Sequence, residues 1–296
     1  MNRVRRHILM LCGLLLVVAG AAQDPLVEAL RHYQAGELQQ ARSLIDEAVR
    51  TAAHTDDPEA WLLRGFVYKD MFKGATTPDS ADRARDEALN SLYSAMVLDK
   101  DSAYRGNAIQ AYDYLTRSCF NDAAKALNEM QEERALQLFG KYKAAVLRAD
   151  PSAAVKAREV EFTNALGTVY TKRFNQDRAE LSWFDKAVAA YRKVLAMEPE
   201  NYGANYNLAT LYYNRGVYNI RNIGADDEIP SILQIQEASR EYFQEALPYM
   251  LKAHEMNPTR RETLLGLEGI YYSLQDQESS DKFRRLFEEL PPQEEH

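Results

Sequence analysis

Tyr202-Gly203-Ala204-Asn205-Tyr206-Asn207-Leu208-Ala209-Thr210-Leu211-Tyr212-Tyr213 opens a stretch that closes on Ala246-Leu247-Pro248-Tyr249-Met250-Leu251-Lys252-Ala253-His254-Glu255-Met256-Asn257-Pro258. Two helices approach closely only where side chains are small, so Ala209, Ala246 and Ala253 mark contact points between a first and a second helix. Tyr212 fills the space between them and can put its hydroxyl at the edge. Pro258 cannot continue a helix and fixes the turn to the next one. One such pair cannot bury its own apolar face, so further pairs must be stacked beside it.

Working outward, the same arrangement recurs. Residues 26–52 show helical spacing twice, at Leu26, Ala29, Leu30 and Tyr33 and then at Leu38, Ala41, Leu44, Ile45 and Ala48. The break falls at Gly36, where the turn needs a residue tolerant of positive φ. Asp57-Pro58 starts a second pair with Trp61, Gly65 and Tyr68, then Ala88 and Ala95. Thr77 and Pro78 read as the N-cap and first residue of its second helix, which should run to about Leu98. The third pair is the least regular; periodicity predicts helices over 103–118 and 121–148. The fourth carries Leu166-Gly167, Tyr170, Ala187, Tyr191, Val194 and Pro199, with about eight extra residues around Asn175 to Ser182. In the fifth, the opening stretch, the second helix should start near Ser231 and kink at Pro248. The sixth occupies 259–290 and has the polar outer face that the end of a stack needs.

Leu208, Ala209, Tyr212, Ala246, Met250, Ala253 and Pro258 resemble the tetratricopeptide repeat (TPR), an antiparallel helix pair. The resemblance covers most of 25–290. The departure is spacing: 37 residues separate Ala209 from Ala246, where an uninterrupted repeat has about 12. Gly65 and Ala88 are 23 apart, so that pair is lengthened too. The resemblance implies an all-α, right-handed α-solenoid of about six helix pairs. It implies a concave groove, lined by first helices, that binds a peptide or protein surface.

Composition agrees with one globular unit over 23–290: 296 residues, 46% hydrophobic and 27% charged, with only 13 Gly and 10 Pro, too few for a many-stranded β fold. Residues 1–22 read as a secretory signal peptide: Arg3, Arg5 and Arg6, the apolar run from Ile8 to Val18, then small residues through Ala22. Extended to Ala22, that run has about 15 residues, short of a spanning helix, so no stable membrane anchor is expected after cleavage. The expected location is the periplasm or cell envelope. Removing 1–22 takes away three Arg and no acid, leaving 33 basic against 44 acidic residues, net −11. That argues against nucleic acid as the partner, since phosphate binding needs a basic surface. Only Cys119 then remains, so the fold must rest on its core without an internal disulfide. Residues 291–296 read as a tail.

No catalytic constellation, metal-type histidine spacing or Gly-rich phosphate loop is found, so neither an enzyme nor a cofactor is expected. Cys119 reads as a buried structural thiol. The candidate contact residues lie on the groove side of first helices: Tyr206, Thr210, Tyr213 and Asn214 in the fifth pair, Asn164, Thr168 and Thr171 in the fourth, and Tyr272 in the last. Tyr offers apolar area, a hydroxyl and few rotors, and Asn can pair with a peptide backbone. Lys69 and Lys172 stand isolated in sequence, so the family's basic carboxylate clamp is not evident. The expected function is a non-enzymatic scaffold for a protein or peptide partner. Two alternatives stay open. One is a small-ligand or glycan binder whose inserted segments, 73–86 and 219–245, form loops over the groove; the other is a homo-oligomeric structural module.

Overall fold

The computed structural model describes residues 24–291. The signal-peptide reading of 1–22 lies outside the described residues, as does the tail from 292. Twelve α-helices and no strand are found among the described residues, and ten of them pack as five consecutive pairs. The all-α helix-pair fold is therefore as the spacing predicts. The chain divides into two compact units, the first ending at Cys119 and the second beginning at Phe120.

The first unit contains α1 (Pro25–Gln34), α2 (Leu38–Ala48), α3 (Pro58–Lys73), α4 (Pro78–Leu98) and the first part of α5 (Arg105–Asn128). Three of these helices start the same way. Asp24, Asp57 and Thr77 each accept from a backbone N–H of the first turn, and each is followed by Pro, whose missing N–H would have had no partner there. Ala29, Ala41, Ala48 and Ala60 are fully buried with Ile45 and Val67, so small residues do set the contacts. A Cβ on Gly65 would meet Leu92 Cδ2 at 2.6 Å, which is why α3 needs glycine where it crosses α4.

The N-caps of α1 and α3 are tied together by one histidine. His54 places Nε2 2.9 Å from Asp24 and Nδ1 3.0 Å from Asp57. Its pKa is raised, chiefly by the hydrogen bond to Asp57, with Asp24 adding and burial opposing. A raised folded-state value means that the stabilisation is fully present below the unfolded value of about 6.5 and is lost as pH rises through the folded one. The thermal midpoint should therefore fall between pH 6 and pH 9, and His54→Gln should remove that part of the fall. Melting both proteins by circular dichroism across this range checks it; parallel curves would show that the histidine is not charged in the fold.

The second unit contains the rest of α5, then α6 (Glu132–Ala149), α7 (Lys156–Gln176), α8 (Leu181–Met197), α9 (Tyr202–Arg221), α10 (Ile229–Met256), α11 (Arg261–Ser273) and α12 (Gln277–Glu288). Its core runs from Ala123 to Phe283. Phe139 of α6 stacks on Phe162 of α7 with ring centroids 4.1 Å apart. Ala209, Ala246 and Ala253 are fully buried, and Tyr212 is buried with its hydroxyl at the edge, accepting from Arg192 Nη2 at 2.9 Å. Cys119 is buried, as read from the sequence.

The third pair departs from the sequence reading. Its first helix does not end at 118 but runs to Asn128, and its second starts at Glu132 rather than 121. The turn is Glu129-Met130-Gln131, with Met130 at φ 58°. Its hydrogen bonds, Met130 N to Leu127 O and Gln131 N to Ala126 O, repeat those of the Gly36 turn, Gly36 N to Tyr33 O and Glu37 N to His32 O. The turn at Gln275, φ 64°, repeats them again. The geometry is the left-handed helix stop usually built on Gly. Methionine in that place hides it, because a non-glycine residue pays for positive φ through its Cβ.

The extra residues of the lengthened pairs are a second correction. They do not form long loops over a groove: most of 73–86 belongs to α4 and most of 219–245 to the end of α9 and to α10, leaving 74–77 and 222–228 outside helices. Helix α10 begins at Ile229, two residues before the position read from sequence, and continues through Pro248. Lengthening adds contacts: Gly216, two turns beyond Ala209, lies against Phe243, and an added Cβ would meet that ring at 2.5 Å.

Candidate functional site

In the first unit, α3 and α5 face each other across a cavity of about 300 Å³. Phe66, Lys69 and Lys73 line it from α3; Asn107, Gln110, Ala111 and Tyr114 line it from α5. Helical spacing puts Phe66, Lys69 and Lys73 on one face. Lys69 Nζ sits 4.5 Å from the Phe66 ring centroid, and Lys73 Nζ 5.3 Å from that of Tyr114. One carboxylate serves both: Asp70 Oδ1 is 3.3 Å from Lys73 Nζ and 4.0 Å from Lys69 Nζ. Its other oxygen accepts from the Tyr33 hydroxyl at 2.7 Å. Burial holds the Lys69 ammonium below its ordinary pKa, more than Asp70 restores. A half-desolvated cation between an aromatic ring and two amide side chains is a site that gains from an incoming acceptor.

The sequence left Lys69 as an isolated cation. What it lacked was the partner helix: Asn107, Gln110 and Tyr114 lie more than 30 positions away, on a helix that extends past the periodic stretch ending at 118. The one local signal was the Phe66-Lys69-Lys73 spacing.

The residues singled out in the second unit are mostly engaged within it. Asn164 of α7 donates through Nδ2 to Asn201 Oδ1, which also caps α9 by accepting from Ala204 N. The Asn164 Oδ1 atom is buried without a partner. Thr168 and Thr171 donate to carbonyls of their own helix, and their oxygens lie 3.4 and 3.3 Å from the Tyr191 hydroxyl. Tyr206 of α9 stacks on Tyr202, centroids 6.0 Å apart and planes 8° apart. Burial raises its hydroxyl pKa, which a hydrogen bond with Thr210 partly offsets. Tyr213 fills a packing position, its ring 5.6 Å from Phe243 and its hydroxyl over Gly269. Asn214 is half-buried on the same helix. Tyr272 on α11 is 65% exposed. Helix α9 neighbours both α7 and α11, so its row lies beside theirs on one surface of this unit.

At the far end of that surface the row continues through Asn175 on α7 and Tyr218 on α9. There Arg178, in the α7–α8 turn, and Arg215 of α9 both lie over the Tyr218 ring, at 5.4 and 5.6 Å. No sequence periodicity joins a turn residue to a helix residue 37 positions later.

No protein-family model matches the chain, and no curated protein matches it. Among solved structures, a monomeric mutant of IFIT1 with Gppp-AAAA shares 16% identity over 90% of this chain at a TM-score of 0.40. The human IFIT1 dimer with m7Gppp-AAAA gives 16% and 0.39. PilW, a type IV pilus biogenesis factor, shares 16% over 88% of this chain and 89% of its own, at 0.33. The chain spans about half the length of the IFIT1 structures. At TM-scores this low the likeness adds nothing to the helix-pair repeats seen directly.

Proposed function

We propose that this chain is a non-enzymatic scaffold of the bacterial cell envelope that binds a protein or peptide segment along its first helices. The observation that carries this reading is the α3–α5 cavity, where Lys69 and Lys73 lie against aromatic rings and share the single Asp70 carboxylate. A peptide offers what such a wall lacks: backbone carbonyls for the ammonium groups and side-chain amides, and apolar area for Phe66 and Tyr114. In the second unit, Tyr206, Thr210 and the exposed Tyr272 are the contact residues; Asn164, Thr168, Thr171, Tyr213 and Asn214 hold the surface that presents them. Export follows from the basic and apolar pattern of residues 1–22.

The test is a pull-down from envelope extract with residues 23–296 as bait. A Lys69→Ala, Lys73→Ala, Tyr114→Ala triple variant should retain its helical circular dichroism and lose the partner by about tenfold or more, as expected for hot-spot truncation. A partner held equally by both baits would place binding elsewhere. No retained protein, with sedimentation that changes with concentration, would favour self-assembly.

A further inference from the structure

Arg178 and Arg215 form a cationic pair with no acidic partner among the described residues, although Arg215 also lies 6.0 Å from the Phe174 ring centroid. Arg215 Nη1 donates to the Arg178 carbonyl at 3.0 Å, and its Nε is buried without a partner. Arg178 Nη2 donates to Asn175 Oδ1 at 3.2 Å. Both guanidinium groups share the Tyr218 ring, and no ion pair among the described residues reaches either. The nearest acids in sequence are engaged locally: Asp177 accepts from Ala179 N in the turn at 3.1 Å, and Glu180 caps α8 by accepting from Ser182 N at 3.3 Å.

The preceding repeat supplies an internal control. There Arg173 of α7 donates to the Met130 carbonyl in the α5–α6 turn, as Arg215 of α9 does to Arg178 in the α7–α8 turn. Tying one repeat to the turn before it therefore takes one arginine and one carbonyl. The earlier turn, Glu129-Met130-Gln131, holds no cation. Arg178 is surplus to this device, yet its side chain is half-buried although it sits in a turn. Two like charges on one ring repel, and the ring's quadrupole and neutral acceptors offset only part of that. An oxyanion between them would accept from unused Nη groups of both forks.

We propose that Arg178 and Arg215 bind a side-chain carboxylate of an acidic peptide segment lying along α7 and α9. The pair stands at the end of the Asn164–Thr168–Thr171–Asn175 and Tyr206–Thr210–Asn214–Tyr218 rows, so an extended segment on that surface would bring an acidic residue to it. This deepens the scaffold reading and rests on it, but its test needs no natural partner. The probe is a hexaglutamate peptide, titrated calorimetrically into residues 23–296 beside its hexaglutamine counterpart and inorganic phosphate.

Hexaglutamate should bind and hexaglutamine should not. Arg178→Ala should weaken binding by about tenfold or more, and Arg178→Lys by less, because an ammonium keeps the charge but not the fork. Arg178→Ala is the safe variant for folding, since the carbonyl that Arg215 uses is retained. Undiminished binding by Arg178→Ala, equal binding of hexaglutamine, or no binding of hexaglutamate would each overturn the proposal. Phosphate bound in place of the peptide would overturn it in favour of a free-anion site. Success here with a failed pull-down would separate the two claims.

Discussion

Phe243→Ala is expected to destabilise the second unit by about 3–5 kcal/mol, the usual cost of emptying a buried aromatic site. The ring is 2% exposed, lies over Gly216 of α9 and stands 5.6 Å from the Tyr213 ring. It is the second point at which the lengthened α9–α10 pair closes. Gly216→Ala attacks the same contact from the other side: its Cβ would stand 2.5 to 3.0 Å from three ring carbons, so the ring must move, at a cost of about 1–3 kcal/mol. The two changes are not independent. Once the ring is gone the new methyl has room, and the double variant should cost less than the sum by about 1 kcal/mol or more. Urea unfolding of the four proteins measures this, and hydrogen exchange should place the loosening in α9 and α10. Additive costs would mean that the glycine and the ring do not meet.

This contact also shows what could be read in the sequence. The small-residue positions Ala209, Ala246 and Ala253, and the caps at Asp57-Pro58 and Thr77-Pro78, announce themselves because each has a local mechanical cause. The Gly216–Phe243 contact has none. It exists because most of the added residues continue two helices instead of forming a loop, and polar helix extensions look like loop when judged by spacing alone. The Met130 turn failed for a related reason: backbone geometry normally written as Gly was supplied by a residue that carries no turn signal.

The candidate site was legible in part. The rows on α7 and α9 follow from helical periodicity, so Tyr206 and Thr210 were placed on one face. Periodicity does not report hydrogen bonds, and Asn164, Thr168 and Thr171 spend theirs inside the unit. The reverse holds for Lys69. Alone on its helix it says little, and only α5 beside it turns it into the wall of a cavity.

Arg64→Ala is expected to destabilise the first unit by about 2–3 kcal/mol, below the cost of breaking a fully buried pair because its partners are partly solvated. Arg64 joins three helices. Nε donates to Asp46 Oδ1 of α2 at 2.8 Å, Nη1 to Ser91 Oγ of α4 at 2.6 Å, and Nη2 to Glu87 Oε2 of α4 at 2.7 Å. Its guanidinium lies 4.6 Å from the Tyr68 ring centroid. The Tyr68 hydroxyl donates to the other Asp46 oxygen at 2.8 Å, and burial together with that bond pushes its pKa up to about 12. Removing the arginine leaves Asp46, 22% exposed, with the tyrosine hydroxyl and no cation. Arg64→Lys should recover less than half, since one ammonium cannot reach three acceptors arranged for a fork. Asp46→Asn in the Arg64→Ala background should cost little more, because the stranded charge is then gone. Salt separates this network from the surface pairs. Arg158 and Glu161, 53% and 56% exposed, should contribute less as ionic strength rises. The Arg64 side chain is 12% exposed, so the gap in unfolding midpoint between the native protein and Arg64→Ala should persist at high salt. A gap that closed would mean that its hydrogen bonds are exchanged with water in solution.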